Sequence, residues 1–306
     1  MLQYLQIINT FIAEYFWQIF FVILNVLFAY YVFAKQHKLV FYPIKLEKFP
    51  TVEDIKRDFE IDLDFREIPI TTYDKETIYM YTFLQENPKE HNTILLFQSN
   101  AGTMLDRIAF AKKYCYESNV NFIIAVYRGF DKSTGVPVES KMSKDIERYY
   151  STLETLDIDM NKLIVLGRSI GVGMALKFYN QFDCKALIVE NGFTQLIDMA
   201  KQLFPIAQNL PDFLLKVLIR DKWNNINEMM KMKQGKHILF FSSGQDEMIP
   251  MWMMRKLYDI SIDTGKVSKM EFFPDGHHMD LPMHDTYFRR LNTYLDSLDN
   301  DNDNEN

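Results

Sequence analysis

Short apolar runs recur through most of the chain, at Thr93–Phe97, Phe122–Val126, Leu163–Leu166, Ala186–Val189, Ile238–Phe241 and Lys269–Phe273. Helix-length stretches separate most of them. Runs of four to seven residues bounded by polar segments read as buried strands, and their alternation with helices predicts a mainly parallel sheet covered on both faces. Ahead of them, Phe65–Thr71 and Thr77–Phe83 predict a hairpin that turns at Asp74-Lys75. The rhythm breaks between Gly192 and Gly235, where Leu196–Phe204 and Phe213–Arg220 form amphipathic stretches between two strands. An insertion there, at about residues 192–236, can roof a pocket as a short helical lid.

The amino end follows a different pattern. Residues 15–34 carry no formal charge, and Gln18 and Asn25 are their only strongly polar members. Twenty helical residues at about 1.5 Å each span about 30 Å, the hydrocarbon thickness of a bilayer. Tyr15, Trp17, Tyr30 and Tyr31 stand towards the ends, where amphipathic rings suit the interface. Residues 1–14 hold no Lys or Arg, and Lys35-Gln36-His37-Lys38 is a poor cleavage region, so the run reads as an uncleaved transmembrane helix rather than a signal peptide. Lys35, Lys38, Lys45 and Lys48 all follow it, which predicts a single-pass topology with the carboxy-terminal domain in the cytosol. The expected organisation is therefore an amino-terminal segment (1–14), an anchor in the lipid bilayer (15–34), a charged, proline-punctuated connector (35–59), a catalytic domain (60–298) and a disordered acidic tail (299–306).

Bulk composition adds exclusions. A net charge of −7 and the lack of a basic stripe interleaved with aromatics argue against nucleic-acid binding. The two cysteines, Cys115 and Cys184, fit neither a metal spacing nor a disulfide framework and are expected to pack as small hydrophobes.

The chemistry centres on Gly167-Arg168-Ser169-Ile170-Gly171, between the run Lys162–Leu166 and the helical stretch Val172–Phe178. G-x-S-x-G between a strand and a helix is a nucleophile elbow, which thrusts one serine above a sheet. Side chains at Gly167 and Gly171 are expected to collide where strand meets helix, and the turn needs backbone angles that ordinary residues resist. A serine hydroxyl needs a base, and the base needs an acid to fix its tautomer. In this elbow arrangement the partners follow in the order Ser, Asp or Glu, His. Asp246 follows a late apolar run and is the expected acid, with Glu247 as the alternative; after the last run stand His277 and His278, of which one can meet Ser169. The oxyanion of a tetrahedral intermediate needs backbone N–H donors, expected from Ile170, next to the nucleophile, and from Asn100, in the loop after Ile94–Phe97. Asp275, in the turn Pro274-Asp275-Gly276, reads as structural. Arg128, at a strand end, is expected to brace loops.

Together these segments resemble the Bem46-like alpha/beta hydrolases, a membrane-anchored family. The likeness rests on Phe41-Tyr42-Pro43, Asn100-Ala101-Gly102, Tyr127-Arg128-Gly129, the elbow, Val189-Glu190-Asn191 with Phe193, Ser243-Gly244, Asp246-Glu247 and Phe273–Gly276. It implies the alpha/beta-hydrolase fold, with Ser169 as nucleophile, Asp246 as acid and His278 as base. It also marks a departure: the family usually carries His-Gly before Asn-Ala-Gly, and Gln98-Ser99 stand there in this chain. Glutamine is expected to replace part of the lost hydrogen bonding.

The expected activity is a membrane-anchored serine hydrolase that cleaves an ester, thioester or amide through an acyl-enzyme on Ser169. Anchoring favours a lipid-like acyl substrate. No cofactor or metal is needed, because serine, histidine and aspartate suffice for acyl transfer to water. Two other readings of the same residues are a catalytically weak membrane scaffold on a hydrolase fold and a peptidase acting on short peptides.

Overall fold

The computed structural model describes the backbone of residues 2–44 and 46–304, and the side chains of these except 2–14, 28, 29, 32 and 301–304. The amino end forms α1 (Leu2–Lys35), α2 (His37–Val40) and a two-residue strand β1 (Tyr42–Pro43), followed by α3 (Val52–Asp58). The hairpin is β2 (Asp64–Thr71) and β3 (Thr77–Leu84). Then come β4 (Thr93–Phe97), a second two-residue strand β5 (Ala101–Gly102), α4 (Ile108–Ser118), β6 (Asn121–Val126), α5 (Glu139–Leu153), β7 (Leu163–Arg168), α6 (Gly171–Gln181) and β8 (Ala186–Glu190). The insertion holds α7 (Leu196–Leu203), α8 (Pro205–Gln208), α9 (Asp212–Leu218) and α10 (Asn225–Lys231). The chain ends with β9 (His237–Ser243), α11 (Met251–Asp263), β10 (Val267–Phe273) and α12 (Tyr287–Asn304).

The six predicted runs are β4 and β6 to β10, and with the hairpin they form one eight-stranded sheet ordered β10-β9-β8-β7-β4-β6-β3-β2. Its strands from β10 through β6 pair in parallel, and β3 and β2 extend it antiparallel. Every residue of β4, β6, β7 and β8 is buried, because helices cover both faces. This explains why those strands read as unbroken apolar runs, whereas the edge strand β2 mixes exposed and buried positions. Cys115 is buried and Cys184 half-buried, and burial pushes both thiols up to about 12, as befits packing residues.

The hairpin turn is held from outside. Arg128, fully buried, donates to both oxygens of Asp74 at 2.7 and 3.0 Å and to both of Asp145 at 2.5 and 2.6 Å. It thus braces the turn, the end of β6 and α5, as expected from its place at a strand end.

Both chain ends carry structure beyond their expected organisation. In the connector, β1 pairs in parallel with β5, and Phe41 is buried against Tyr127, Phe130 and Trp223. The acidic stretch 299–306 continues α12 as far as Asn304, with Asp299 paired to Lys185; residues 305 and 306 lie outside the described residues. An established helix propagates at low cost, which carries α12 past its apolar positions. The predicted anchor falls on α1, with the side chains of residues 28, 29 and 32 outside those described. Among the described residues, no helix is long and apolar enough to cross a membrane. The described apolar side chains of α1 from Phe16 to Phe33 are exposed on all sides of the helix.

Candidate active site

The elbow forms between β7 and α6, and its strain is placed differently from expectation. Ser169 itself takes the left-handed backbone, with φ 55°, whereas Gly167 and Gly171 do not. Their role is steric. A Cβ at Gly171 would land on the backbone of Phe97 and lie 2.6 Å from the Gln98 carbonyl oxygen; one at Gly167 would lie 2.6 Å from Val172 Cα. Such approaches cannot be relieved by rotating a side chain, so both positions exclude any larger residue. The strained turn is pinned by the Ser169 N–H, which donates to the Glu190 carbonyl at 3.0 Å. Strain of this kind persists only where its surroundings over-determine it, and it gathers at functional sites.

Asp246 and His278 meet. The two side chains are 3% and 2% exposed, and His278 Nδ1 lies 2.7 Å from Asp246 Oδ2. The other carboxylate oxygen accepts the N–H groups of Met248 at 2.9 Å and Ile249 at 2.7 Å. A carboxylate used this way is an acceptor only, so the proton between the residues belongs to Nδ1, and Nε2 is left basic. Glu247 does not compete: its side chain is exposed and takes the backbone N–H of His278 at 3.3 Å. His277 is likewise exposed, with its N–H on Asp280 at 3.0 Å. Ser169 Oγ makes no hydrogen bond to the imidazole among the described residues.

Sequence reasoning missed what holds the histidine loop beside the elbow. Register pairs Arg168 with Glu190, and the two buried side chains form an ion pair between adjacent strands. Tyr287 donates to the same carboxylate at 2.8 Å. Burial works against the Arg168 charge, but Glu190 and the nearby tyrosines hold its pKa above the ordinary value. Arg168 Nη1 also reaches the Met279 carbonyl at 3.4 Å. One residue on from Glu190, the Asn191 amide donates to the His278 carbonyl at 3.2 Å and to Ser243 Oγ at 2.9 Å, and Ser243 Oγ donates to the His277 carbonyl at 2.8 Å. The residues flanking the nucleophile and the base are thereby tied through Glu190 and Asn191. Both were visible only as part of a family resemblance; their action depends on strand register, which periodicity does not show.

The loop after β4 is ordered, though not by Gln98. Its side-chain amide is fully buried, lines a small internal cavity with Arg107 and Arg168, and has no hydrogen-bond partner among the described residues. The expectation that glutamine takes over the family histidine's bonding is therefore corrected. Others do the work: Tyr127 OH donates to the Gln98 carbonyl at 2.7 Å, and Arg107 donates to Ser99 Oγ at 3.1 Å and to the Ala101 carbonyl at 2.8 Å. From the connector, Tyr42 N–H donates to the Asn100 carbonyl at 2.8 Å, and the Asn100 amide donates to the Val40 carbonyl at 2.8 Å. The side chain of Asn100 is thus spent on the connector, and its backbone N–H, like that of Ile170, has no acceptor among the described residues.

Asp131 supports the far end of this loop, accepting the Met104 N–H at 3.0 Å through Oδ2, while Oδ1 has no partner among the described residues. Burial raises its carboxyl pKa from 3.8 to about 6. The folded state therefore binds this proton more tightly than the unfolded state. The resulting stabilisation is complete below the unfolded value and is lost as pH rises through about 6, a difference of up to about 3 kcal/mol. Asp131→Asn keeps an acceptor for Met104 and removes the charge. It is expected to raise the urea midpoint at pH 7 and leave it nearly unchanged at pH 4; a lower midpoint at pH 7 would show that the carboxylate is not the burden.

Known proteins are similar to this chain in sequence and in fold. A family model described as an alpha/beta hydrolase of unknown function (DUF1057) matches residues 72–268. Protein bem46 of Schizosaccharomyces pombe is 32% identical over 267 residues, covering 85% of this chain and 86% of its own. A Saccharomyces cerevisiae protein named "Uncharacterized membrane protein YNL320W" is 28% identical, covering 76% and 81%. Among solved structures, the Pyrococcus furiosus esterase Pf2001 superposes with a TM-score of 0.64 over 85% of this chain and 98% of its own, at 14% identity, a likeness of fold alone.

Proposed function

The chain belongs to the Bem46-like family of alpha/beta hydrolases, and from that premise we propose that it is a serine hydrolase cleaving an ester, thioester or amide through an acyl-enzyme on Ser169. The observation that carries the reading is the buried Asp246–His278 pair, whose histidine loop is tied through Asn191 and Glu190 to the elbow. In this mechanism the Ser169 hydroxyl turns toward His278 Nε2 and loses its proton as it attacks the acyl carbon. Asp246 steadies the imidazolium that forms, and the imidazolium then protonates the leaving group. The N–H groups of Ile170 and Asn100 receive the oxyanion. Water, deprotonated by His278, releases the acyl group and restores the serine.

The proposal also holds the protein at a membrane. Residues 15–34 are uncharged, and Asn25 donates its amide to the Phe21 carbonyl at 2.7 Å, which removes a polar group from the helix surface. A helix apolar on every side is one that water does not suit. With the basic residues after the span, the hydrolase domain faces the cytosol. Work beside lipid favours an acyl chain as substrate. The yeast relative's name as a membrane protein agrees with this placement.

Labelling with a fluorophosphonate, followed by mass spectrometry of the modified peptide, tests the chemistry. Modification of Ser169 is the expected result. A folded protein that takes no label is instead a scaffold without turnover. For a protein that is labelled, a comparison of acyl esters with short peptide amides separates an esterase from a peptidase.

A further inference from the structure

The lid has finished packing inward and still presents apolar side chains outward. Its own small core is Ile197, Ala207 and Leu215, separate from the main core. Outside it stand Leu203, Phe204, Ile206, Phe213 and Val217, with exposures from 51% to 74%. Phe213 and Val217 are four residues apart on α9 and share one face; Leu203, Phe204 and Ile206 form the corner between α7 and α8. A lid bathed in water carries polar residues at such places, and several large apolar side chains exposed on one insertion mark an interaction site.

A second observation says what covers it. Gln36, the residue after α1, is buried against the end of the lid: its Oε1 accepts the Arg220 N–H at 2.8 Å, and its amide donates to the Leu218 carbonyl. These are one and three residues from Val217. The carboxyl end of the exposed apolar helix and the end of α9 therefore meet at these two hydrogen bonds. Lys35, Lys38 and Lys216 are exposed around them and suit anionic headgroups.

We propose that the outer face of the lid, carrying Leu203, Phe204, Ile206, Phe213 and Val217, inserts into the surface of the bilayer that holds α1. Phospholipid is the partner. The inference rests on the membrane association proposed above and adds an orientation: the lid lies against lipid, so an acyl substrate enters from the membrane side rather than from water.

The test uses the full chain reconstituted into vesicles of phosphatidylcholine and phosphatidylserine. An environment-sensitive fluorophore is attached at Phe213→Cys and, in a second protein, at Val267→Cys, an exposed position that begins β10 at the end of the sheet opposite the elbow. The parent protein supplies the background from Cys115 and Cys184. The expected result is a blue shift and quenching by spin-labelled acyl chains at 213 and neither at 267. Flotation with the vesicles but no quenching at 213 overturns the lid docking and leaves membrane association standing. Failure to float overturns both. A companion variant, Ile206→Ser with Phe213→Ser, is expected to lose roughly tenfold in turnover of an ester embedded in vesicles, with turnover of a soluble ester unchanged. Equal loss on both substrates would also overturn the proposal.

Discussion

Replacing Ser169 by alanine is expected to lower turnover by about 10⁶, to the level that substrate binding and oxyanion stabilisation alone supply. The protein should stay folded, although alanine accepts the φ of 55° less readily than serine. Asp246→Asn is expected to cost about 10⁴. Asparagine can present an N–H to Nδ1, which moves the imidazole proton to Nε2 and leaves the base facing the serine already occupied. Geometry would barely change, because the amide oxygen still accepts the Met248 and Ile249 N–H groups that hold Asp246. Glu247 should not rescue this variant, since it points into solvent and binds the backbone of His278 rather than its ring. The two losses should not add: the double variant should be no slower than Ser169→Ala, because acid and base act only through the nucleophile. Steady-state kinetics on a soluble acyl ester decides this. If Asp246→Asn loses less than about tenfold while Glu247→Gln loses far more, the assignment of the acid is wrong; losses that multiply would mean the three residues do not act as a unit.

Much of this site is legible without coordinates, for identifiable reasons. Burial on both faces turns β4 and β6 to β8 into uninterrupted apolar runs. The elbow leaves a local signature, because contacts under 3 Å at Gly167 and Gly171 admit no side chain. Chain order points to an acid at Asp246 or Glu247 and a base at His277 or His278, each following a late strand, and the family resemblance selects Asp246 and His278. What escaped reading depends on pairing between distant segments. Strands β1 and β5 are two residues each, too short for any periodicity, and are about sixty residues apart. Gln98 invited a role because of what it replaces in the family pattern, yet Tyr127 and Arg107 reach that loop from other elements. The Gln36 joint spans 182 residues to Leu218, and nothing in either segment points to the other.

The pair Arg168–Glu190 is where stability and catalysis are expected to separate most clearly. Both side chains are buried, so removing either leaves its partner's charge without compensation. Arg168→Met and Glu190→Leu are each expected to cost about 3–5 kcal/mol in unfolding free energy. Combining the two substitutions removes both charges and leaves an apolar contact of similar volume, so most of the loss should be recovered. Activity should recover less. The Ser169 N–H still finds the Glu190 backbone carbonyl in the double variant, but the contact from Arg168 to the Met279 carbonyl is gone, and Tyr287 loses its acceptor. A lower kcat with unchanged KM, in a protein whose urea midpoint approaches that of the parent, would identify the pair as a positioning device for the His278 loop. Single substitutions that cost under about 1 kcal/mol would contradict the buried ion pair, because exposed pairs are worth no more than that. A double variant as unstable as the singles would mean that Tyr114 and Tyr287, bonded to each other beneath Glu190, depend on that carboxylate for their own burial.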